Sequence, residues 1–130
     1  MWLCPGQGAQ KVGMAKDLAE RFPAAREVLQ AVDDALETPL SRLMFEGPDE
    51  DLTATHNAQP AILAHSAAVF AVVRECGGRV VAAAGHSLGE YSAYVTAGAL
   101  EATEAAKLVR RRGELMQKAG AERPGTMAAV

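Results

Sequence analysis

Gly85-His86-Ser87-Leu88-Gly89 directly follows the apolar run Val80-Val81-Ala82-Ala83-Ala84, and the reading of this junction decides the fold. A short buried-type strand, then Gly-x-Ser-x-Gly, then a segment able to start a helix is the arrangement called a nucleophile elbow. The turn is sharp, so a side chain at either glycine would crowd the serine backbone. Ser87 then stands at the carboxyl end of a strand, above the positive end of the next helix, where a hydroxyl can attack a carbonyl. The same residues also spell Ser-x-x-Glu through Glu90, a capping box that merely starts a helix. The two readings are compatible. The strand before Ser87, and a helix over residues 91–97 stopped by Gly98, favour a nucleophile.

On the amino-terminal side, Trp2-Leu3-Cys4 reads as a short strand ended by the turn-rich loop Pro5-Gly6-Gln7-Gly8. Helices are predicted over residues 13–22 and from Pro23 to Leu36, the latter with Ala25, Val28, Leu29, Val32 and Leu36 on one face. Residues 40–45 read as a turn-like piece and residues 46–51 as a solvated acidic loop serving solubility and helix-start chemistry. Residues 58–76 are apolar on nearly every side, as in a helix buried between a sheet and other helices. Beyond the elbow, a long helix is predicted over residues 101–119, closed by Gly120. Strands alternating with helices predict an α/β fold with a parallel sheet flanked by helices, and the non-alternating 80–84 strand fits one covered on both faces.

The last helix carries a second unusual residue. Ala105, Leu108, Val109, Leu115 and Met116 define its apolar stripe, with Arg112 near the centre and Arg110 and Arg111 pointing away. An inward guanidinium needs an anion. An internal ion pair, with Glu90 for example, is one solution. A carboxylate-binding fork is the other, since arginine grips a carboxylate through two parallel hydrogen bonds.

Composition narrows the class. The chain has 130 residues, 49% hydrophobic and 22% charged, with a net charge of −3, which fits one soluble domain with an ample core. That balance offers no footprint for nucleic acid or an anionic membrane. No apolar stretch is long enough for a membrane span and no secretory signal opens the chain. Cys4 and Cys76 lack metal or redox spacing and read as buried cytosolic thiols rather than a disulfide, so the expected compartment is the cytoplasm. Residues 126–130 read as the start of a strand after the turn Pro124-Gly125. An apolar strand needs a neighbour, so the remainder of a longer polypeptide is expected to follow, and Met1 favours a free-standing protein over an excised synthase domain.

Five segments together resemble one family. Cys4-Pro5-Gly6-Gln7-Gly8-Ala9-Gln10, Gln59-Pro60-Ala61, Gly85-His86-Ser87-Leu88-Gly89-Glu90-Tyr91-Ser92, Arg112-Gly113-Glu114-Leu115-Met116-Gln117 and Met127-Ala128-Ala129 look like motifs of the malonyl-CoA:acyl carrier protein transacylases and related acyltransferase domains of polyketide synthases, in the same order. The resemblance implies an α/β-hydrolase-like core over residues 1–124 and the start of a small ferredoxin-like subdomain at 125–130, the rest lying beyond residue 130. It implies that Ser87 takes malonate from malonyl-CoA as an ester and passes it to the phosphopantetheine thiol of acyl carrier protein. The coenzyme A thioester is then a substrate, with no tightly bound cofactor and no metal. The N–H groups of Gln7 and Leu88 would form the oxyanion hole, Arg112 would bind the malonate carboxylate, and Gln59 would play a supporting polar role. The family's general-base histidine has no counterpart here, because His86 should project away from the hydroxyl and His56 and His65 fall before or within the buried helix. The isolated chain is therefore expected to be inactive or nearly so. Two other readings stay open: a serine hydrolase or thioesterase of α/β-hydrolase type, and a non-catalytic piece that docks carrier protein.

Overall fold

The computed structural model describes residues 1–123 and 125. Two strands, β1 (Trp2–Cys4) and β2 (Ala83–Gly85), pair in parallel with Trp2 opposite Ala83 and Cys4 opposite Gly85. Seven helices complete the described part: α1 (Lys16–Arg21), α2 (Pro23–Leu36), α3 (Leu40–Glu46), α4 (Asp49–Thr53), α5 (Thr55–Glu75), α6 (Leu88–Thr96) and α7 (Ala102–Glu122). The fold is mixed α/β but mostly helical. The expected 80–84 strand becomes Ala83–Gly85: in the parallel register residues 80–82 fall before Trp2, the first residue of its partner β1. Nor is it covered on both faces, since Leu3 is 70% and Val81 87% exposed.

The core lies between α2, α5 and α7, around Leu29, Val32, Ile62, Leu63, Ala105, Ala106 and Val109. The sequence places α5 at Ala58; the helix begins at Thr55, where the Ala54 carbonyl accepts from the N–H groups of Asn57 and Ala58, both at 2.8 Å. Residues 40–45 are a helix, not a turn. The signal for it is non-local: Asp33 on α2 accepts the Ser41 N–H at 2.8 Å, while Leu40 and Met44 bury on one face. The acidic loop is likewise partly helical, with Asp49, Glu50 and Asp51 in the first turn of α4, where their charge meets the helix dipole. At the other end, α7 continues through Gly120, which lacks the positive φ of a helix stop, whereas Gly98 (φ 72°) does end α6.

Helix α7 faces α5 through Ala105, Ala106, Val109 and Gly113. The expected stripe was displaced: Leu108 and Leu115 are about half exposed, because small residues let the two backbones approach and set the inward direction. A Cβ at Gly113 would lie 2.7 Å from His56 Cα and 2.8 Å from the Thr55 carbonyl oxygen. This close approach brings the amino end of α5 beside Arg112. Residues 126–130, expected as the start of a strand and subdomain, lie outside the described residues.

Candidate active site

The corner between β2 and α6 is built on contacts that only glycine permits. A Cβ at Gly85 would sit 2.0 Å from the Gly89 carbonyl carbon and oxygen, and one at Gly89 would sit 2.3 Å from the Cys4 carbonyl oxygen. Ser87 between them adopts φ 53°, ψ −106°, a conformation costly for any residue with a Cβ and one that recurs at functional sites. Its side chain makes no capping bond to α6. Of the two compatible readings of Ser-x-x-Glu, capping drops out, and the hydroxyl is left to face Arg112.

Arg112 Nη2 donates to Ser87 Oγ at 2.9 Å, and Nη1 donates to Gln59 Oε1 at 2.7 Å. The guanidinium also lies over the Tyr91 ring, 5.7 Å from its centroid. Arg112 is thus turned inward as its helical position predicts, and among the described residues it forms no ion pair; Glu90 does not meet it. Both partners are neutral, so the guanidinium charge is unmatched; a carboxylate could replace Ser87 at Nη2 while Gln59 keeps Nη1. Gln59 is fully buried. Its amide nitrogen donates to Met116 Sδ at 3.3 Å, four residues beyond Arg112 on α7.

The Pro5–Gly8 loop closes on the same corner. A Cβ at Gly6 would meet the His86 carbonyl oxygen at 2.9 Å, and Gln7 Nε2 donates to Thr55 Oγ1 at 3.2 Å, tying the loop to the start of α5. Leu88 is the first residue of α6, so its N–H is among those without an intrahelical partner. Ser87, Leu88, Arg112 and Gln59 therefore converge, and the Gln7 loop packs against the residue preceding Ser87.

No histidine bonds Ser87 among the described residues. His86 is exposed, with its ring against Gly6. His56 Nδ1 pairs with Gln117 Oε1. His65 sits in mid-α5, where burial pushes its pKa down and the carboxylate of Asp17 partly counters. Arg110 is a correction. Rather than pointing away, it is half buried and donates to Asn57 Oδ1; burial lowers its pKa, with Glu114 opposing. Asn57, Thr55, Tyr91 and Met116 carry no site role in the sequence reading, although Tyr91 and Met116 each fall four residues after a residue that does. No group of three or more His, Cys, Asp or Glu able to hold a metal ion occurs among the described residues.

The profile of the acyl transferase domain family matches residues 1–130. The malonyl CoA-acyl carrier protein transacylase of Bacillus subtilis (strain 168) is 51% identical over 129 residues, which is 99% of this chain and 41% of the relative. An acyl-carrier-protein-S-malonyltransferase from Bartonella henselae superposes with a TM-score of 0.89 at 51% identity, covering 91% of this chain and 39% of that one. A malonyl-transacylase in complex with a type II PKS acyl-carrier protein superposes with a TM-score of 0.86 at 45% identity, covering 91% and 38%. The chain spans about two fifths of the length of these relatives. With a match over its whole length, the chain belongs to the acyl transferase domain family.

Proposed function

We propose that the whole protein is a malonyl-CoA:acyl carrier protein transacylase of fatty acid synthesis and that residues 1–124 contribute its nucleophile and its carboxylate clamp. The observation that carries this reading is the pair of hydrogen bonds from one guanidinium to Ser87 Oγ and to the buried Gln59 amide. A terminal carboxylate arriving at Arg112 displaces Ser87 Oγ from Nη2 while Nη1 stays on Gln59, which frees the serine lone pair and sets the thioester carbonyl beside it. Ser87 Oγ then bonds to that carbonyl carbon while a base removes its proton. The N–H groups of Leu88 and Gln7 bind the developing oxyanion. Collapse breaks the carbon–sulfur bond and coenzyme A leaves as its thiol. The phosphopantetheine thiol of acyl carrier protein attacks the ester by the same steps in reverse. The base is assigned to a histidine outside this chain, because none of the described histidines reaches Ser87.

Within the whole protein we take β1 and β2 as two strands of a larger parallel sheet of α/β-hydrolase type, with a ferredoxin-like subdomain beginning near residue 125. We place the protein in the cytoplasm. Its thiols, Cys4 buried and Cys76 exposed, are unbridged, and no described helix is long and apolar enough to cross a membrane. Nothing in the arrangement favours the hydrolase reading, which leaves Arg112 without a task.

The test is intact-mass analysis of the complete protein after brief exposure to malonyl-CoA. One malonyl adduct is expected on Ser87, stable until carrier protein is added and absent in Ser87→Ala. An adduct that water clears within seconds would make the protein a hydrolase. The isolated 130-residue chain is expected to turn over little or nothing.

A further inference from the structure

We infer that Met116 is a positioning residue for malonyl recognition, acting through Gln59, an inference that rests on the proposed transacylase reading. The case begins with the chemistry of the Gln59 amide. Arginine offers only donors, so the Gln59 group facing Arg112 must be its oxygen, as found at 2.7 Å. The amide nitrogen then points the other way, at a fully buried site, where an unmet N–H is costly. Met116 Sδ at 3.3 Å is the acceptor it finds, a weak one but correctly placed.

Reversing the amide would set its N–H groups against the guanidinium and its oxygen against the thioether sulfur, losing both bonds. The sulfur therefore reinforces the orientation that the guanidinium demands, and that orientation holds Nη1 while Nη2 reaches Ser87. Leucine, similar in volume, fills the space without accepting a hydrogen bond. With the acceptor gone, the amide N–H is left unpaired at a buried site, and the side chain that braces Arg112 is held less firmly. Spacing supports the pairing: Arg112 and Met116 are separated by one turn of α7, so both flank the Gln59 side chain as it arrives from α5.

The experiment is a double-mutant cycle in the complete protein, with malonyl-CoA and acetyl-CoA loading measured for wild type, Met116→Leu, Gln59→Leu and the double variant, and thermal midpoints recorded for all four. Met116→Leu should lower malonyl kcat/KM about five- to tenfold, mostly through KM, with acetyl loading changed less than about twofold. In the Gln59→Leu background the same change should have no further effect on malonyl loading. Equal losses for malonyl and acetyl, or a Met116 effect of the same size in both backgrounds, would overturn the inference and make Met116 a packing residue. If Met116→Leu lowers the thermal midpoint, Met116→Gln, which restores an acceptor, should recover malonyl loading; failure to recover it also overturns the inference. A wild-type protein that does not load malonate at all overturns the transacylase reading instead.

Discussion

The corner holding Ser87 and the helical face holding Arg112 are built in opposite ways. Around Arg112, α5 and α7 bury their contact completely, with Gln59, Ile62, Leu63, Ala105 and Val109 at 1% exposure or less. Around Ser87 the scaffold is a two-stranded sheet whose residues Leu3 and Ala84 are exposed. The helical half is held by side-chain packing. The elbow is held by backbone pressed on backbone at Gly85, Gly89 and Gly6. A clamp built on packing tolerates small adjustments, whereas a nucleophile in a strained conformation needs neighbours that cannot move. That division predicts where a single added carbon does most harm.

The largest effect is expected at the elbow. Gly85→Ala places its one added carbon 2.0 Å from the Gly89 backbone, and no flexible side chain is present to yield. The complete protein should lose roughly 3–5 kcal/mol, a large part of the 5–15 kcal/mol typical of a folded domain. Gly113→Ala tests the other half. Its Cβ meets backbone at 2.7–3.0 Å, but part of the strain is offset by alanine's better helix propensity, so about 1 kcal/mol of net loss is expected. Urea midpoints at constant m-value compare the two. Equal losses would mean that the elbow is no more rigid than the helix crossing.

Arg112→Ala separates recognition from reaction. Removing the charge-assisted hydrogen bonding to a carboxylate should cost malonyl loading about 100-fold in kcat/KM, while acetyl loading, which never used the clamp, changes far less. Parallel measurements with the two acyl-CoA donors check this. An equal loss for both would show that Arg112 holds up the structure around Ser87 rather than reading the acyl group.

The elbow and the inward arginine were legible because each is a local pattern. Gly-x-Ser-x-Gly states its own geometry within five residues, and an arginine on a helix's apolar side is visible from periodicity alone. What stayed hidden depended on distant partners. Helix α3 is started by Asp33 eight residues away, and the inward direction of α7 was set by Gly113 meeting Thr55 and His56 rather than by its leucines. Arg110 was misread for the same reason, since its partner Asn57 lies 53 residues back. Met116 looked like one more apolar residue. Only its contact with a buried amide draws attention to its sulfur rather than its bulk.

The smallest expected effect concerns acid sensitivity, and it should belong to the helical half. His65 lies in mid-α5, where burial holds its pKa below the ordinary 6.5 and the Asp17 carboxylate opposes that shift without cancelling it. Above pH 6.5 the imidazole is neutral in both folded and unfolded chains and contributes no pH dependence. As pH falls through 6.5 the unfolded chain takes up a proton that the folded chain still refuses, so folding stability declines until the lower folded value is passed. His65→Leu removes that titration. Urea midpoints of the complete protein between pH 7.5 and 5 should therefore fall more steeply for wild type than for His65→Leu, with the divergence beginning near pH 6.5. Asp17→Asn, which removes the opposing charge, should steepen the wild-type decline. Parallel profiles for wild type and His65→Leu would mean that water reaches this imidazole in the folded protein, and that the packing of α5 is looser there than around Gln59.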